Sequence, residues 1–67
     1  MDFNFLGNAW VALGQEGRTW RIGLHPNGYF VAEGEGRKQV TRTHFEALQL
    51  IERWEQAHVE ESETVTL

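Results

Sequence analysis

The tetrapeptide His25-Pro26-Asn27-Gly28 constrains this chain more than any other stretch. Pro26 presets φ for the first turn position and Asn27 suits the second. Gly28 supplies the left-handed residue that completes a three-residue hairpin loop. A loop of that length sets the pairing of its flanks: His25 with Tyr29, Leu24 with Phe30, Gly23 with Val31 and Ile22 with Ala32. Side chains alternate across a sheet, so one face collects Trp20, Ile22, Leu24, Phe30 and Ala32. The other collects Thr19, Arg21, His25, Tyr29, Val31 and Glu33. The first set is the more apolar and is expected to face the core.

Two further turn signals, residues 14–17 (GQEG) and 34–37 (GEGR), divide short aromatic and β-branched runs, the pattern of an antiparallel meander. A four-residue loop at GQEG would turn Ala9, Val11 and Leu13 toward the core and leave Trp10 and Ala12 on the second face. Val40 is expected to join the core, with Gln39 and Thr41 outside. Thr43 followed by Glu46 has the spacing of a capping box, and a run of strong helix formers without Gly or Pro begins at His44. At about 100° per residue, Ala47, Leu48, Leu50, Ile51 and Trp54 share one side, and Phe45 can wrap onto the sheet edge. The expected fold is α+β, a two-layer structure in which an antiparallel three- to four-stranded meander packs on one C-terminal helix. Residues 1–58 would form the single domain and residues 59–67 an acidic, flexible tail.

With 67 residues the chain sits near the lower size limit for folding without staples, and it has no cysteine to form them. Eight aromatics, three of them Trp, let a small core bury useful area. The absence of a signal-peptide pattern or a long apolar run points to a soluble, cytoplasmic protein with no membrane partner. The net charge of −4 is uneven. Residues 1–43 carry five bases against four acids, whereas residues 44–67 carry one base against six.

The chemistry of catalysis is hard to find in these residues. Ser62 has no adjacent base and no nucleophile elbow around it. His25, His44 and His58 lack metal-ligand spacing, so no metal site is expected. The glycines before Arg37 and Lys38 fit a hairpin better than a phosphate loop, because no helix starts there. Glu52, Glu55, Glu60 and Glu61 read as solvated helix and tail charge. The expectation is a non-catalytic protein without cofactors.

One helix covers one face of a sheet, so the other is left open. On the face assignment above it would display Trp10, Thr19, Arg21, Tyr29, Val31, Gln39 and Thr41. Aromatics and Arg are the types enriched at binding hot spots, which points to a protein partner. The chain would then be a small accessory or inhibitory factor docking on a larger protein through this face or through its acidic helix. Self-association into a homo-oligomer through the open face is a further option.

The order "TWRIGL", turn, "YFVAE", turn, "KQVTR", then "THFEAL" resembles the small sheet-plus-helix domains at the start of tyrosine integrases, and more distantly AP2-type domains. The likeness spans residues 18–57. It implies nucleic-acid binding by the open sheet, with Arg21, Tyr29, Gln39 and Thr41 toward DNA. Those domains are rich in Lys and Arg on the sheet, whereas Arg21 is the one base placed on this face, and few phosphate contacts mean weak binding. A nucleic-acid module is therefore the alternative reading. Small acidic proteins of this size are common in phages and mobile elements, which adds an expectation about source.

Overall fold

A computed structural model describes residues 1–65, with side chains described through residue 60. Five strands form one antiparallel sheet in sequence order: β1 (Asn4–Leu6), β2 (Ala9–Leu13), β3 (Thr19–Leu24), β4 (Phe30–Gly34) and β5 (Arg37–Thr41). The helix α1 (His44–Val65) follows and packs on β3, β4 and β5. The architecture is the expected α+β meander with one helix, enlarged by a strand. That strand, β1, joins β2 through a two-residue turn in which Gly7 has φ +68°, a conformation Gly adopts at no steric cost.

The central hairpin has the expected register. Leu24 pairs with Phe30, Gly23 with Val31 and Ile22 with Ala32. Its loop closes with His25 N–H donating to Tyr29 O at 2.8 Å and Gly28 N–H donating to His25 O at 2.9 Å. Gly28 has φ +85°.

The neighbouring strands depart from expectation, each for a countable reason. Between β2 and β3 the loop has five residues, 14–18, because Arg18 is held out of the strand; Leu13 therefore pairs with Thr19. The loop is a 3-10 turn, Gln15–Gly17, with Gly14 N–H donating to Arg18 O at 2.7 Å. One residue more than expected flips every side chain of β2. Trp10 and Ala12 now lie opposite Ile22 and Trp20 on the helix side, and Val11 and Leu13 lie opposite Arg21 and Thr19 on the open side. The expected inward turn of Ala9, Val11 and Leu13 is corrected accordingly.

The β4–β5 turn is the two-residue loop Glu35-Gly36, both at positive φ (+50° and +78°), as a type I′ hairpin requires. This register pairs Val40 with Val31 on the open side, and Gln39 with Ala32 and Thr41 with Phe30 on the helix side. Val40 does not join the core; Thr41 is buried instead. Its hydroxyl donates to Thr43 O at 3.0 Å, which offsets the cost of burying it.

The core lies between the layers. Trp20, Ile22 and Ala32 of the sheet meet Ala47, Ile51 and Trp54 of α1. The two alanines are fully buried between the layers, and Trp20 and Trp54 stack with centroids 5.9 Å apart. Leu48 and Leu50 flank this centre half-buried. Phe45 does not wrap onto the sheet edge and is 65% exposed, and Leu24 is 56% exposed beyond the helix's reach. At the start of α1, Thr43 Oγ1 accepts the Glu46 N–H at 3.1 Å. The helix continues to Val65, past the expected domain end at residue 58; Thr66 and Leu67 lie outside the described residues.

One charged group organises the loop end of the core. The Glu55 carboxylate accepts four hydrogen bonds of 2.8–2.9 Å: from Gln15 N–H, from Arg18 Nε and Nη2, and from Trp20 Nε1. Arg18 is buried and grips the carboxylate as a two-pronged fork. Glu55 is thus no solvated helix charge. The Arg18 hydrogen bonds, aided by those from Gln15 and Trp20, hold its pKa down at about 2, against the ordinary 4.5, although burial pushes the other way. The same contact raises the pKa of Arg18.

A carboxylate with a depressed folded-state pKa stabilises the fold fully above its unfolded pKa and loses that contribution as pH falls toward the folded value. Thermal midpoints of the wild type should therefore fall between about pH 4.5 and pH 2. In Glu55→Gln, which starts lower at neutral pH, that segment of the profile should be flatter; parallel profiles would rule the clamp out. Packing offers a separate check. A Cβ on Gly34 would lie 2.5 Å from Trp20 Cε3 and 2.7 Å from Thr19 O, whereas one on Gly23 meets nothing within 4 Å. Urea denaturation should show Gly34→Ala destabilised by about 1–3 kcal/mol and Gly23→Ala changed by no more than about 0.5 kcal/mol.

Candidate functional site

The open face of the sheet is built from the alternate residues that α1 does not cover. β3 contributes Thr19, Arg21 and Gly23, and β4 contributes Val31 and Glu33, with Tyr29 just before it. β2 contributes Val11 and Leu13, β1 contributes Asn4 and Leu6, and β5 contributes Lys38 and Val40. Leu13 is 71% exposed, Leu6 62%, Val40 49% and Tyr29 44%. Ala9, between Leu6 and Gly23 in the ladder, is the one residue of this face that is buried.

Of the seven residues expected on this face, Thr19, Arg21, Tyr29 and Val31 are there. Trp10, Gln39 and Thr41 are not. Trp10 sits half-buried on the helix side, its ring 4.9 Å from Phe5, 6.1 Å from Phe30 and 4.5 Å from His44. Gln39 and Thr41 line a groove between β5 and α1. Their places are taken by Leu6, Val11, Leu13 and Val40, so the face is more aliphatic and less aromatic than expected. The signal that finds these four is loop length: a five-residue loop before Thr19 and a two-residue loop before Arg37 put them all on the Tyr29 side.

The charges of this face are few, and two of them form an ion pair. Arg21 Nη1 lies 3.2 Å from Glu33 Oε1, a directly cross-strand pair, and Lys38 is opposite Glu33 on the next strand. An exposed pair of this kind contributes little stability but ties down the cation that a phosphate backbone would need. Around this short ionic row lie Val31, Val40, Val11 and Leu13, giving an apolar surface with a polar centre line.

His25 stays beside Tyr29, their ring centroids 6.3 Å apart, but the other two histidines are placed elsewhere. His44 packs against Trp10 and Phe30, and His58 against Trp20; the Nε2 atoms of both are buried without a hydrogen-bond partner. Among the described residues no group of three or more His, Asp or Glu could hold a metal ion, and no helix is long and apolar enough to cross a membrane. Compared with protein-family models, curated proteins and solved structures, the chain matches none of them.

The reassignment of Trp10 has a direct consequence. Trp10→Ala should open a void beside Phe30 and lower stability by about 2–4 kcal/mol in urea unfolding. A loss below about 0.5 kcal/mol would place the ring in solvent after all.

Proposed function

We propose that the protein is a small non-catalytic interaction module that docks on another protein through the open face of its sheet, as an accessory or inhibitory factor. The observation that carries this reading is the exposure of Leu13, Leu6, Val40 and Tyr29 together on one uncovered face. Exposed apolar residues gathered on one face around a polar row are what interaction sites present. Arg21 near its middle and Tyr29 at the hairpin end supply hot-spot residue types.

The nucleic-acid alternative draws less support. Arg21 and Lys38 are the cations of this face, and Arg21 is already paired with Glu33. Trp10, the ring best suited to base stacking, points to the helix side. A sheet reading DNA also needs polar side chains along its strands, where this one carries Val11, Val31 and Val40.

Affinity capture from an extract of the source cells, compared across variants, tests the reading. Leu13→Glu and Tyr29→Ala should each lose a protein that the wild type retains, while Arg21→Gln has a smaller effect. If Arg21→Gln instead abolishes retention, and what is retained is nucleic acid whose affinity falls steeply with salt, the alternative is correct.

A further inference from the structure

A second surface lies on the edge of the sheet; it shares Lys38 and Val40 with the open face but uses their outward backbone groups. β5 is the last strand of the order β1-β2-β3-β4-β5, so one side of its backbone has no sheet partner. The pair flanking its two-residue turn, Gly34 and Arg37, exchanges hydrogen bonds in a hairpin of this type. By the alternation of an antiparallel ladder, Gln39 and Thr41 then also bond inward, and the N–H and C=O groups of Lys38 and Val40 point outward. Beside this edge, between β5 and α1, runs a groove of about 230 Å³ lined by Gln39, Thr41, Glu46, Gln49, Leu50 and Arg53.

The charge around the edge is mainly positive, with Glu33 opposite Lys38 and Glu35 in the turn before Arg37 as nearby acids. Of the six Lys and Arg residues in the chain, four surround it: Arg37 and Lys38 on β5, Arg42 just after it, and Arg53 in the groove wall. All four are exposed. The other two, Arg18 and Arg21, are held in ion pairs, but among the described residues these four form none. Arg37 makes a cation–π contact with Trp54, 5.9 Å from the ring centroid, which leaves its charge uncompensated. Glu46 is the one acid lining the groove. β1, at the opposite edge, is three residues long and carries no charge.

We infer that the β5 edge is a strand-addition site for an acidic, extended peptide segment of a partner protein. Added to the edge, such a segment would satisfy the outward backbone groups of Lys38 and Val40, with alternate side chains entering the groove against Leu50 and Thr41. Its carboxylates would meet Arg37, Lys38, Arg42 and Arg53. The same cations keep two copies of this chain from pairing edge to edge, because Lys38 and Arg37 would then face their own kind. A phosphate chain would meet the positive charge but could not use an edge of alternating donors and acceptors.

The test is an amide NMR titration of the full chain with a capped peptide of about six residues alternating glutamate and valine, beside a lysine–valine control. Shifts should map to residues 37–42 and 49–53, and exchange of the Lys38 and Val40 amide protons should slow on saturation. Lys38→Glu with Arg53→Glu, both exposed, should weaken binding about tenfold, and Val40→Pro, which removes an outward N–H, should abolish it. No binding, equal binding of the lysine peptide, or shifts confined to the Leu13 and Tyr29 face would overturn the assignment. So would a thymidine oligonucleotide that produces the same shifts and survives Val40→Pro, since that would make the edge a phosphate site. None of these results alters the open-face reading unless the shifts extend to Leu6, Val11, Leu13 and Tyr29.

Discussion

The Glu55 carboxylate holds this small fold in register. Its four donors come from three places: the backbone of the loop at Gln15, the side chain of Arg18 that ends the loop, and the indole of Trp20 in the core. That anchor favours five residues rather than four between β2 and β3, together with the packing of Trp10 and Ala12 on the helix side; a one-residue slip would turn Trp10 outward and Leu13 inward. A buried ion pair is often no more stabilising than a hydrophobic replacement. Here the pair is made by an Arg18 that stands outside the strand, so it accompanies the observed pairing of Leu13 with Thr19. Gly14 belongs to the same device: a Cβ there would overlap the Glu55 carboxylate and lie 2.9 Å from Trp20 Nε1.

From that register follows the division of the molecule into a covered side and an uncovered one. Trp20, Ile22 and Ala32 receive the helix, and alanine at 32 and 47 lets the layers close up. A single helix is too narrow to hide five strands on one face and can hide none of the other. The apolar residues on the uncovered side are therefore a product of register, since β2 and β5 each place aliphatic residues there. The sheet edge is set by the same meander, which leaves the outer side of β5 without a strand partner among the described residues and most of the unpaired positive charge beside it. Two surfaces with different chemistry, one apolar and one basic, thus sit at right angles on a domain of 67 residues.

Much of the fold was legible residue by residue. Pro26, Asn27 and Gly28 specify a loop by their own φ preferences, and the β3–β4 pairing follows from the count. Thr43 and the spacing of Ala47, Ile51 and Trp54 announce the helix and its inner face. These readings hold because the information is local: each depends on residues within a turn or two. The candidate site was legible only where it borrowed from that hairpin, at Thr19, Arg21, Tyr29 and Val31. Val40 was misread because its apolar character points inward while the turn at Glu35-Gly36 points it outward, and the backbone ladder outranks the side chain's preference.

By itself, then, the sequence determined the class of the fold, the central hairpin with its faces, and the start and buried stripe of the helix. Only the tertiary structure decided which way β2 and β5 turn, that Glu55 is a clamp, and which residues the open face and the free edge present. The physical reason is range. Turn and helix signals are encoded in neighbouring residues, whereas the loop before β3 is fixed by contacts far apart in the chain, Arg18 with Glu55 and Trp10 with His44, and no local pattern records them.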